Sequence, residues 1–134
     1  MGLIEGNDPK LKNEFVIIGA HYDHIGFKTK VDNDSIANGA NDNASGVCAL
    51  ISLARYFKAL NNNERTLIFV AFSGEELGLL GSQYFAEDIE SDSIIAMINI
   101  EMIGRGDAIN PSPYITGAEY SDLIKIFNTN YQSI

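Results

Sequence analysis

Three short runs, Phe15-Val16-Ile17-Ile18, Thr66–Phe72 and residues 94–100, are apolar and rich in β-branched and aromatic side chains. Runs of this length and kind read as buried strands. Between the first two, Val47, Leu50, Ile51, Ala54, Phe57 and Leu60 recur at three- and four-residue intervals, which lays one apolar stripe along a helix over 44–60. Asp42 or Asn43 caps its start, and Asn61-Asn62-Asn63 supplies the turn beyond its end. Residues 79–89 and 121–130 carry the same spacing in shorter form. The order is strand, helix, strand, helix, strand, helix. It predicts an α/β three-layer sandwich with a mainly parallel central sheet and helices on both faces. Tyr114-Ile115-Thr116 reads as one more short strand, and residues 26–39 and 104–113 as irregular loops suited to lining a pocket.

Eighteen acidic side chains against nine basic ones give a net charge of −9, so a phosphate backbone is repelled and nucleic acid is excluded as a partner. The longest apolar runs, 67–72 and 94–98, fall far short of the ~20 residues that span a bilayer, and no membrane insertion is predicted. The start, Met1-Gly2-Leu3-Ile4-Glu5-Gly6, lacks the basic and long apolar regions of a signal peptide. Cys48 is the only cysteine, so no disulfide forms within the chain; its place in the helical pattern predicts a core position. A length of 134 residues fits one domain.

Ligands of open α/β sheets bind outside the carboxyl ends of the strands. His21 follows the first strand, Glu75-Glu76 the second and Glu101 the third, while Asp42 stands at the entrance of the intervening helix, which a right-handed crossover brings to the same edge. Taken singly, each has a bland reading: a structural histidine, a helix cap, solvated acids. Their convergence on one edge is what chance explains poorly. Imidazole and carboxylate oxygen suit zinc, and two zinc ions sharing a carboxylate activate a water and polarise a carbonyl. Asp42 is short enough to bridge. Of the neighbours Glu75 and Glu76, one can face metal and the other the water, and Asp23 can take the second imidazole N–H of His21 and fix its tautomer.

Four motifs occur in order: Gly19-Ala20-His21-Tyr22-Asp23-His24, Gly39-Ala40-Asn41-Asp42-Asn43-Ala44-Ser45-Gly46, Ser73-Gly74-Glu75-Glu76-Leu77-Gly78-Leu79-Leu80-Gly81-Ser82 and Asn99-Ile100-Glu101-Met102-Ile103-Gly104-Arg105. Together they resemble the co-catalytic zinc aminopeptidases related to bacterial leucyl aminopeptidase and aminopeptidase Y, over nearly the whole chain. The resemblance implies a metallo-aminopeptidase that hydrolyses amino-terminal residues from peptide substrates through a water activated by two zinc ions. It makes His21 a ligand of one zinc, Asp42 the bridge, Glu76 a ligand of the other zinc, Glu75 the general base and Asp23 the partner of His21. It also implies a cis peptide at Asp42-Asn43, and export of the parent protein.

Two departures stand out. Glu101 replaces the family's usual aspartate, and the extra methylene carries its carboxylate about 1.5 Å further from the backbone. The family's last histidine ligand comes from beyond residue 134, and no histidine follows His24. Asp42 and Glu76 are thus left short of a third donor, so residues 1–134 are expected to be a partial zinc peptidase catalytic domain, weakly active or inactive alone, with an exposed sheet edge open to self-association. The alternatives are a glutaminyl cyclase-like acyltransferase with one zinc, which the pair His21 and Glu101 disfavours, and a non-catalytic peptidase-like binding domain, which intact Glu75 and Glu76 disfavour. A serine hydrolase lacks its Gly-x-Ser-x-Gly elbow, and the glycines form no dinucleotide fingerprint.

Overall fold

The computed structural model describes residues 1–106 and 114–131. The three apolar runs form strands, and their pairing follows from which faces they bury. In chain order the elements are β1 (Gly2–Ile4), β2 (Phe15–His21), β3 (Phe27–Val31), β4 (Asp34–Ile36), α1 (Ser45–Leu60), β5 (Thr66–Phe72), α2 (Leu80–Asp88), β6 (Ile94–Asn99) and α3 (Leu123–Tyr131). One sheet has the order β1-β5-β2-β6. Within it β2 runs parallel to both β5 and β6, and β1 pairs antiparallel with β5 through Gly2↔Phe69 and Ile4↔Leu67.

Alternate residues of the central strands enter two separate cores, as side chains of period two must. On one face Ile18, Ala20, Leu67 and Phe69 pack with Leu50 of α1, flanked by Val47, Ala54 and Phe57. On the other Ile17, Ile68, Val70 and Phe72 meet Phe85 of α2 and Ile89. The layers are therefore helix, sheet, helix. Among the described residues no helix is long and apolar enough to cross a membrane.

Several expectations shift. The 26–39 stretch is not irregular: β3 and β4 make a two-stranded antiparallel hairpin. Its turn residues Asp32 and Asn33 both have positive φ, 49° and 66°, the conformation that matches the twist of paired strands. Tyr114-Ile115-Thr116 is not a strand, for a strand needs a ladder partner and none is found for it among the described residues. Most of 104–113 lies outside the described residues. Cys48 is exposed, not core, because the buried stripe of α1 runs through Leu50 and its flanking positions.

Parallel pairing fixes where the polar residues go. His21 is in register with Phe72, and Gly19 with Asn99. The residues that follow β5 and β6 therefore emerge beside His21 at one carboxyl edge.

Candidate metal centre

His21 ends β2 with its side chain almost wholly buried. Its Nδ1 lies 3.1 Å from the Asp23 main-chain carbonyl. A carbonyl only accepts, so Nδ1 donates its proton, and in the neutral ring Nε2 keeps a bare lone pair. That buried Nε2 has no hydrogen-bond partner. It faces oxygens instead: Asp42 Oδ1 at 3.2 Å, Glu101 Oε1 at 3.9 Å and Glu75 Oε2 at 4.0 Å. A lone pair aimed at carboxylates is an arrangement that a cation resolves.

Asp42 reaches this position through a tight turn over Ala40–Ala44, in which Asp42 and Asn43 leave helical geometry and the bond between them is cis. The two candidate cap residues divide the work. Asn43, 2% exposed, takes the Gly46 N–H on Oδ1 at 3.1 Å, which satisfies an amide at the entrance of α1. The same oxygen accepts the Met102 N–H at 3.1 Å, and its amide donates to the Ile100 carbonyl at 3.0 Å. Asn43 thereby ties the Asp42 turn to the segment carrying Glu101. Gly46 must lack a side chain here, because a Cβ would run into the Ile100 carbonyl and the Asn43 amide.

Glu75 and Glu76 occupy the loop between β5 and α2. Asp23 holds that loop: its carboxylate accepts the N–H groups of Glu75 at 3.2 Å and Glu76 at 3.3 Å. Asp23 was expected to face His21 with its carboxylate, but Oδ1 stands 3.7 Å from Nδ1, and the closer contact is through its main-chain oxygen. Burial pushes the Asp23 carboxyl up; the two amide donors, with His21 nearby, outweigh this and hold it below its ordinary value. Burial likewise pushes Glu75 up, and there it prevails: His21 opposes, while Glu101, Glu76 and Asp23 add to the rise. A carboxylate so raised is a better proton acceptor near neutrality.

Two donor groups result, His21 with Asp42 and Glu101, and His24 with Asp42 and Glu76; in each the donor atoms lie within 4.8 Å of one another. Asp42 belongs to both. All six sequence-predicted site residues, His21, Asp23, Asp42, Glu75, Glu76 and Glu101, meet at this edge. His24 was given no role from sequence; its Nδ1 lies 2.8 Å from Glu76 Oε1. Asn43 was read only as a possible cap. Beside the centre lies a cleft of about 250 Å³ lined by Tyr22, Asp23, His24, Gly39, Asn43 and Val47, among others.

A helix, sheet, helix sandwich with histidines and carboxylates gathered at the carboxyl ends of parallel strands defines the class: an α/β protein with donor groups spaced so that they could hold a metal ion. The particular family follows from comparison. The sequence profile of Peptidase family M28 matches residues 1–133, and the chain belongs to that family. It is 40% identical over 98 residues to a probable zinc metalloprotease of Pyrenophora tritici-repentis, covering 72% of this chain and 22% of that protein. It is 32% identical over 94 residues to aminopeptidase YwaD of Bacillus subtilis, covering 68% of this chain and 18% of that one. Against a vacuolar membrane protease of Vanderwaltozyma polyspora the identity is 33% over 103 residues, 77% of this chain and 10% of the relative. The chain thus spans about a fifth or less of the length of these relatives.

Proposed function

We propose that this chain carries the metal-holding edge of a zinc aminopeptidase, which removes amino-terminal residues from peptides. The observation that carries the proposal is the buried, unpartnered Nε2 of His21, aimed at Asp42 and Glu101. The donor types fit zinc: one imidazole and two carboxylates, leaving a position for substrate. Two donors each ~2.1 Å from a tetrahedral ion lie about 3.4 Å apart, and the His21 separations of 3.2 and 3.9 Å bracket that figure.

In this reading His21, Asp42 and Glu101 hold one zinc, while Asp42 and Glu76 serve a second. Bound zinc supplies the Lewis acidity that polarises the scissile carbonyl and lowers the pKa of water. The protein's own part is proton handling and placement. Glu75, with its raised proton affinity, takes a proton from the attacking water and returns it to the leaving amine. Asp23 fixes the Glu75-Glu76 loop from behind, and the His21 tautomer keeps Nε2 available.

The test combines metal analysis with turnover. In the full-length protein Glu75→Gln is expected to retain zinc while kcat falls by more than about 100-fold on an aminoacyl chromogenic peptide, the range for losing a positioned base. Zinc stoichiometry unchanged by His21→Ala and Asp42→Ala, or unaltered turnover in Glu75→Gln, would refute the assignment.

A further inference from the structure

We infer that the β3–β4 hairpin is a substrate-binding arm, and that the exposed cross-strand pair of Phe27 and Ile36 at its foot receives apolar side chains of an extended oligopeptide, downstream of the residue removed. The inference rests on the zinc aminopeptidase reading above and adds a substrate class to it: peptides of about four or more residues, apolar at the third or fourth.

The hairpin lies outside both cores. Phe27, Val31 and Ile36 are 79%, 59% and 56% exposed, and no residue of β3 or β4 joins the clusters on the two faces of the main sheet. Among the described residues the two strands pair only with each other, and a two-stranded hairpin standing alone is marginal in water. A single exposed apolar side chain needs no explanation. Here Tyr22 and Ile25 on the approaching stem, at 62% and 53% exposure, continue the series, and Phe27 stands directly opposite Ile36. Apolar residues exposed together along one element mark a surface with a partner.

Its position says which partner. The chain leaves the carboxyl edge at His24 and returns at Gly39, whose backbone touches the His24 ring: a Cβ on Gly39 would stand 3.2 Å from His24 Cγ. The Ala37 N–H donates to the Gly26 carbonyl at 3.0 Å and closes the foot of the hairpin. Both stems line the cleft beside the donor groups, through Tyr22 and His24 on one side and Asn38 and Gly39 on the other. A ligand that fills this cleft and extends outward along the stems meets Phe27 and Ile36. Each lies about 10 Å of chain from the root of its stem, His24 or Gly39. An extended peptide advances about 3.3 Å per residue, so its third or fourth residue reaches the pair, while a dipeptide ends short of it. Charge sets the direction: the carboxylates of Asp42, Glu75, Glu76 and Glu101 draw the cationic amino terminus to the edge, and the rest of the peptide leads away. A second copy of the chain is the poorer occupant. It carries the same net charge of −9, and the irregular register of β3, with Lys28 and Lys30 on that strand, makes an edge that resists pairing with another sheet.

The test uses the full-length protein and tetrapeptides that share an amino-terminal leucine and differ only in leucine or serine at the third and fourth positions. An aminoacyl chromogenic substrate, too short to reach the hairpin, is assayed beside them. Wild type is expected to favour the leucine peptide by about 10-fold in kcat/KM, the gain from partly burying such side chains. The gain should appear mainly in KM, because contacts remote from the reacting carbonyl bind ground and transition states alike. Phe27→Ser combined with Ile36→Ser should bring the ratio close to one, and Phe27→Leu, which keeps an apolar surface, should preserve it. Both side chains are exposed, so the fold does not depend on them. The same order should appear in equilibrium binding of the two peptides to Glu75→Gln protein, measured by calorimetry without turnover. A wild-type ratio near one, or a preference that persists in the double variant, overturns the role of the hairpin; a dimer that the double variant dissolves, together with a wild-type ratio near one, assigns the pair to a second copy instead. In each of these cases turnover of the chromogenic substrate leaves the zinc aminopeptidase reading standing. No turnover of any substrate by zinc-loaded wild type overturns both.

Discussion

The Asp23 carboxylate, by accepting the amides of both Glu75 and Glu76, sets where these two side chains begin. Asp23→Asn keeps the shape but replaces one acceptor by a donor that faces an N–H. The expected result is lost hydrogen-exchange protection at the Glu75 and Glu76 amides and zinc affinity lower by about 10- to 100-fold, as for other groups that orient ligands from outside. Unaltered protection at those amides removes Asp23 from that role. At this scale the sequence discloses residue types better than directions. His21, Asp42, Glu75, Glu76 and Glu101 were legible because parallel strands and a helix entrance bring them to one edge whatever their rotamers. The division between Asp42 and Asn43 was not, since either can cap a helix and only the turn geometry shows which side chain points outward. His24 went unassigned for a similar reason: its ring meets Glu76, 52 residues away, and no periodicity in the sequence records such a contact between loops.

Asn43 works between elements. Its single side chain bonds the first turn of α1 and the segment after β6, so it aligns the Asp42 turn with Glu101 across two layers of the fold. Asn43→Ala leaves the buried Gly46 N–H, and the part-buried Met102 N–H and Ile100 carbonyl, without these partners. At about 1–3 kcal/mol for each unsatisfied group, with some recovery through water, the expected destabilisation is about 3 kcal/mol by chemical denaturation. Asn43→Asp keeps the acceptor for both amides and should cost less; equal losses in the two variants would show that the contacts to Gly46 and Met102 are not what matters. Elements whose stability comes from burial were readable: β2, β5, β6 and α1 begin or end within three residues of the positions their apolar pattern indicates. The β3–β4 hairpin was not read, although Phe27-Lys28-Thr29-Lys30-Val31 and the Asp32-Asn33 turn carry its signal. All of β3 is exposed, so no buried apolar run marks it in the sequence.

For the whole molecule the decisive quantity is the balance of charge at one edge of an acidic chain. A net charge of −9 disfavours the compact state through self-repulsion, and gathering five carboxylates beside two imidazoles concentrates that effect where β2, β5 and β6 end. Zinc bound only by the folded arrangement should therefore stabilise the entire sandwich, because Asp42, Glu76 and Glu101 come from segments that unfolding separates. At free zinc 100 times its Kd, one site contributes about 2.7 kcal/mol. For a chain of this size that raises Tm by roughly 10 °C, taking about 3–4 °C per kcal/mol. Chelator should reverse the shift, and Asp42→Asn, which touches both donor groups, should abolish most of it. General charge screening makes a different prediction, since sodium chloride or magnesium at matched ionic strength would then reproduce the rise. A zinc-induced shift no larger than the magnesium one, or one that survives in Asp42→Asn, would show that the cluster is an acidic surface and not a metal centre.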